Sequence, residues 1–178
     1  MASSVSICSN ALLALGANPI NSFDEASENA RLCSNLYPTI RDDLLRKHPW
    51  NCAVKRVVLS PETTAPAFGF RYRFPLPGDV IRILSVGNEY DDVRYRIENG
   101  RVMANENVVY LRYIFRNEDE SSWDAALVNL AEAFMTAKLA YAVTGSASLR
   151  DSLTQEAAFL LRQAKAIDGQ EDPPEELG

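Results

Sequence analysis

Residues 93–104, Val93-Arg94-Tyr95-Arg96-Ile97-Glu98-Asn99-Gly100-Arg101-Val102-Met103-Ala104, decide the fold class. Val93, Tyr95 and Ile97 alternate with Arg94 and Arg96, which is the period of a strand with one buried face. Asn99-Gly100 between two such runs signals a two-residue β-hairpin, whose turn needs positive φ at both positions. The reading places Tyr95 and Ile97 inward and the arginines outward.

The neighbouring sequence extends the pattern. Phe70-Arg71-Tyr72-Arg73-Phe74 alternates in the same way, and Pro75-Leu76-Pro77-Gly78 turns the chain. Ala53–Leu59, Val80–Val86 and Val108–Phe115 are rich in β-branched residues, with Asn105-Glu106-Asn107 as a second turn. Ser60–Gly69 is a Pro/Thr loop. Short turns between successive strands predict an antiparallel meander over 52–116.

On both sides the period changes to that of helices. Helix 4–16 carries Val5, Cys8, Leu12 and Leu15 on one stripe and ends at Gly16. Helix 22–48 starts at a capping box, Ser22 with Glu25, and runs through Pro38 to Pro49. Helix 121–144 has the stripe Trp123, Leu127, Leu130, Phe134, Ala137 and Tyr141. Helix 148–167 is capped by Ser148 and carries Leu149, Leu153, Ala157, Leu160, Ala164 and Ile167. Residues 168–178, DGQEDPPEELG, hold too few apolar groups to order by burial. The predicted fold is α+β: a four-helix bundle, two helices from each end of a single domain 1–167, with an inserted antiparallel β-meander. A disordered-to-extended acidic tail, 168–178, follows.

Charge follows the same division. The 178 residues total −6, yet residues 51–116 carry ten basic and seven acidic side chains. The last eleven residues carry five acids, Asp168, Glu171, Asp172, Glu175 and Glu176, and no base. A near-neutral body with a basic strand region and an acidic arm is expected. No apolar run reaches the roughly 20 residues of a membrane helix, and the N-terminus lacks the basic start of a signal peptide.

Signals for catalysis are weak. Cys8, Cys33 and Cys52 are odd in number and widely spaced, so they read as reduced, buried small hydrophobes. His48 is the sole histidine, and a metal ligand or general base needs partners, yet the sequence offers no second histidine and no nearby cysteine pattern; it reads as a helix-end residue near the last carbonyls. Asp42-Asp43 and Asp91-Asp92 are sequence neighbours, whose side chains diverge. The glycines are scattered through turns and form no phosphate loop. Neither a catalytic site, a cofactor site nor a metal site is expected. The arginine–aromatic runs put the two residue types on opposite faces, whereas a base-stacking platform needs them together. A basic face over packed aromatics suits phosphates or a partner's carboxylates.

Three ordered stretches carry a resemblance. The first is Ile7–Gly16 (ICSNALLALG) with Ile20–Ala30 (INSFDEASENA). The second is Tyr37, Arg41-Asp42, Leu45–Ala53 (LRKHPWNCA) and Leu59-Ser60-Pro61. The third is Tyr72 with Phe74–Asp79 (FPLPGD), Ile81–Leu84 (IRIL), Tyr110–Ile114 (YLRYI) and Tyr141–Ser146 (YAVTGS). Together they resemble the head-to-tail adaptor, or tail tubular protein A, family of short-tailed bacteriophages. The resemblance implies a structural virion protein without enzymatic activity, at the head–tail junction and made in the host cytoplasm. It implies a ring, commonly of twelve subunits, between the portal protein and the tail nozzle protein. Double-stranded DNA would pass through its lumen without specific binding, and no membrane would be involved. A connector or completion protein of a long-tailed phage, and a sequence-tolerant nucleic-acid-binding module, are the alternatives. The expected protein-contact residues are Arg71, Arg73, Arg94 and Arg96, the turn Asn99-Gly100, and the tail acids Asp168, Glu171, Asp172, Glu175 and Glu176.

Overall fold

The computed structural model describes residues 1–171. Among them the chain is mixed α and β, with four α-helices and two small antiparallel sheets. Residues 53–116 form one compact unit; Met1–Cys52 and the chain from Asn117 onward form the other.

In the helical unit, α1 spans Ser4–Ala14, α2 Glu28–Lys47, α3 Ala125–Thr144 and α4 Ala147–Glu171. Each start has a chemical cause. The Ser3 and Ser6 hydroxyls each accept from the other's amide and open α1. The Ser27 hydroxyl, not that of Ser22, accepts from the Ala30 amide and opens α2. Glu25 serves an upstream turn instead, accepting from the Asn21 amide at 2.9 Å and the Ser27 hydroxyl at 2.9 Å. Those bonds, with the Asn21 amide foremost, hold its carboxyl below the ordinary value. The expected capping box at Ser22 is therefore a turn that precedes the helix.

Asp124 caps α3, and Gly145, at φ 71°, ends it in the left-handed region that glycine tolerates. Residues 120–122 form a short 3-10 turn rather than the start of α3. Ser146 caps α4 in place of Ser148: its hydroxyl accepts from the Leu149 amide.

The other three helices all pack on α3. Its buried residues Leu127, Leu130, Ala131, Met135, Ala137, Leu139 and Ala140 therefore cover more than one face. By length and composition α3 is apolar enough to cross a bilayer, with a mean hydropathy of 1.2. This corrects the expectation that no such run exists. Glu132 and Lys138 interrupt the run but leave its average apolar. Burial by α1, α2 and α4 accounts for that character. Ile7, Leu12, Leu44, Leu45 and Trp50 are also fully buried, and the Trp50 indole donates to the Leu44 carbonyl at 2.9 Å.

The end of α4 corrects the tail expectation. The helix continues past Ile167 to Glu171, and Asp168 is 3% exposed. The first proline comes only at Pro173, so nothing in the backbone stops the helix at 167. Asp172 and the remaining tail lie outside the described residues, and with them the expectations for Asp172, Glu175 and Glu176.

In the β unit, β1 is Val54–Leu59, β2 Tyr72–Pro75, β3 Val80–Gly87, β4 Tyr95–Glu98, β5 Arg101–Ala104 and β6 Val109–Phe115. The strands do not run as a meander. One sheet has the order β1-β6-β3 and the other β2-β5-β4, so only β4 and β5 are neighbours both in sequence and in space. The long strand β6 alternates buried Val109, Leu111 and Tyr113 with Tyr110 and Arg112. It is central because it has the most apolar surface to cover, and it takes a partner on each side. Leu59, Phe74, Val86, Val102, Ala104, Val109, Leu111 and Tyr113 form one core shared by both sheets. Burial of about 25 cal/mol per Å² of apolar surface on these residues holds the unit together.

Candidate functional site

The hairpin forms as the dipeptide dictates. Asn99 has φ 47° and Gly100 φ 70°, the positive pair of a type I′ turn. Glu98 faces Arg101 and Ile97 faces Val102. Backbone direction follows from the far side of β5, where the Leu76 amide donates to the Gly100 carbonyl at 3.0 Å. Even-numbered residues of β5 thus bond β2, and odd-numbered ones bond Arg96 and Glu98 of β4. The N–H and C=O groups of Tyr95 and Ile97 point outward from the sheet edge. Among the described residues none bonds to them. The other edge is covered, since the Glu62 amide donates to the Arg73 carbonyl at 2.8 Å.

Strand β4 is exposed along its whole length, with Tyr95 at 38% and Ile97 at 44%. This corrects the expected inward packing. Tyr95 and Ile97 do share a face with the buried Ala104 and Val102. The core beneath that face ends at β5, so the apolar side of β4 projects past it.

The basic residues differ among themselves. Arg73 pairs with Glu62, and the Arg101 Nε donates to both oxygens of the same carboxylate, at 2.9 and 3.0 Å. Arg73 is therefore half-buried and neutralised rather than part of a solvated face. Arg94 lies over the Phe70 ring, 5.7 Å from its centroid. Arg71 is exposed and its amide donates to Asn105 Oδ1. Arg96 is exposed, with no charged partner among the described residues.

A groove of about 520 Å³ on the outer face of β1-β6-β3 had no sequence signal of its own. Register places Arg56, Arg112 and Ser85 in one row across it, and Val58, Tyr110 and Gly87 in the next. The Arg112 Nε is buried there without a hydrogen-bond partner. Glu89, Tyr90, Asp91 and Asp92 line the rim. Asn88 Oδ1 shapes that rim by accepting from the amides of Tyr90 and Asp91. Alternation within β1 and β6 marks each arginine as outward, but only the strand register brings the two together.

On the inner face Asp79 accepts from Lys55 Nζ at 2.8 Å and from the Tyr113 hydroxyl at 3.0 Å. Burial opposes the Asp79 carboxylate, but these two donors outweigh it and hold its carboxyl below the ordinary value. Burial, together with the bond to Asp79, pushes the Tyr113 hydroxyl up to about 12.

In the helical unit, Asp168 is part of a built corner. Its Oδ2 lies 2.8 Å from His48 Nε2, and its Oδ1 accepts from the Asn51 amide at 3.2 Å. His48 therefore binds a carboxylate rather than the last carbonyls of α2, and Asp168 is not available as a surface acid. Burial, aided by Asp124 and Asp168, pushes the nearby Cys52 thiol up to about 12. Cys8 and Cys33 are fully buried thiols, and Cys52 is half-buried. The Tyr37 hydroxyl donates to Glu120 at 2.7 Å in the interior, and burial raises its pKa. Among the described residues no group of three or more His, Cys, Asp or Glu is placed to hold a metal ion.

No protein-family model matches the chain, and no curated protein matches it.

Proposed function

We propose that this chain is a structural virion protein, a head-to-tail adaptor that assembles as a ring between portal and tail nozzle around the DNA exit channel. The ordered sequence stretches that resemble that family support the reading. So does the chain order, in which the β unit lies between α2 and α3 of the helical unit. The observation that carries it is the edge strand β4, open along its outer backbone, with Tyr95 and Ile97 exposed. Stable monomers blunt or cover such an edge, whereas assembling proteins pair it.

Heterologous contacts repeated around an axis close a ring when the rotation closes. In that ring the basic side chains Arg94 and Arg96 meet protein, and the lumen is acidic or mixed, so that passing phosphates are not held. The test is assembly: purified protein, added to portal-bearing heads that lack it, joins them as a ring.

A further inference from the structure

We propose that β4 is a self-recognition edge: before it meets any larger partner, it pairs antiparallel with β4 of a second copy of this chain, with Ile97 on the two-fold axis. This goes beyond the adaptor reading, because it concerns the free protein.

Backbone direction sets the first condition. Within β4 only Tyr95 and Ile97 present outward N–H and C=O groups, and these face outward groups of the other copy only when the two-fold passes through a residue, Tyr95, Arg96 or Ile97, rather than between residues. With the two-fold at Arg96, Tyr95 would bond Ile97 of the other copy, but the two Arg96 side chains would fall directly opposite each other, and like charges there are unfavourable.

Charge sets the second condition. With Tyr95 on the axis, Arg94 of each copy falls opposite Arg96 of the other, and like charges directly opposite are unfavourable. With Ile97 on the axis, Arg96 falls opposite Glu98 of the other copy, and this happens twice. Among the described residues Arg96 has no charged partner to give up. One register therefore satisfies both conditions.

Apolar surface agrees with it. The two Ile97 side chains meet on the face shared with Tyr95, and each Tyr95 lies diagonally beside the opposite Ile97. Both residues are more than a third exposed in the single chain. The charges that discourage indiscriminate edge pairing thus select this pairing. The pair closes on itself, leaves no free β4 edge and does not propagate. Its short strands make it a weak dimer, with assembly of the ring requiring its exchange.

Sedimentation of the full chain across concentration tests the proposal. Wild type forms a reversible dimer at roughly 100 μM and dissociates on dilution, as a small interface should. Ile97→Pro removes an outward N–H without touching a β4–β5 bond, so it stays folded by circular dichroism and sediments as a monomer. Arg96→Glu and Glu98→Lys each weaken the dimer about tenfold alone, and their equimolar mixture restores it as a heterodimer. A wild type that is monomeric throughout, a folded Ile97→Pro that dimerises like wild type, a mixture that fails to recover, or an open-ended oligomer each overturns the proposal.

Discussion

The Asp168 carboxylate lies 2.8 Å from the His48 imidazole, joining the last turn of α4 to the residue that ends α2. An acid near a helix C-terminus faces the negative end of the dipole. Here His48 and the Asn51 amide offset that cost. Asp168→Ala leaves both donors in a site that is 3% exposed at its centre. It should cost about 1–3 kcal/mol, read as a lower thermal midpoint. Asp168→Asn keeps an acceptor for Asn51 and should lose less. An unchanged midpoint for the alanine variant would remove the corner from the account of the fold.

Arg56 and Arg112 stand directly opposite each other on β1 and β6. Arg56→Glu converts this like-charge pair into an attractive one. The variant should be more stable than wild type by about 0.2–1 kcal/mol. The gain should shrink as salt rises. Denaturant titration at two salt concentrations checks both statements, and a loss of stability at low salt would show that Arg56 makes a contact more valuable than the repulsion it brings.

Asp79 gives a pH signature. Its folded-state pKa is depressed below the 3.8 of the free side chain. Its stabilising contribution is therefore fully present above that value and is lost as pH falls through the lower folded value. Asp79→Asn should be less stable than wild type at neutral pH, and the difference should close in strong acid. The carboxylate is partly exposed, so the neutral-pH difference is modest. A difference that is independent of pH would assign the loss to packing instead of charge.

Much of this fold is legible in the sequence because the informative periods lie within single elements. Ala30, Cys33, Tyr37, Ile40 and Leu44 recur at helical spacing in the sequence, and in α2 they are buried together. Asn99-Gly100 specifies its turn through the φ angles it permits. What escapes the reading depends on partners far along the chain. Alternation at Tyr95 and Ile97 defines a face, but the extent of the core beneath that face is set by β2 and β5. Asp168 looks like the first residue of an acidic tail until His48 and Asn51 are brought beside it. Ser27 outcompetes Ser22 as a cap because Glu25 is engaged with Asn21. The Arg56–Arg112 row needs a register between strands that are more than fifty residues apart.

Gly100 ties the turn to assembly. Its φ of 70° is strained for any β-branched residue. Gly100→Val should cost about 1–3 kcal/mol. It should also disorder β4 before the rest of the β unit, seen as faster amide exchange at Tyr95–Glu98 than in the core strand β6. Equal protection in variant and wild type would mean that the turn does not hold the edge in place.

The adaptor reading is tested most directly by the mass of portal-bearing, adaptor-free heads before and after incubation with the purified, folded protein. The account predicts a fixed mass increment equal to a closed ring of copies, with rotational symmetry about the portal axis and no matching gain on heads that lack a portal. Folded protein that leaves portal-bearing heads unchanged, yet binds free duplex DNA with an affinity that falls steeply as salt rises, would contradict it.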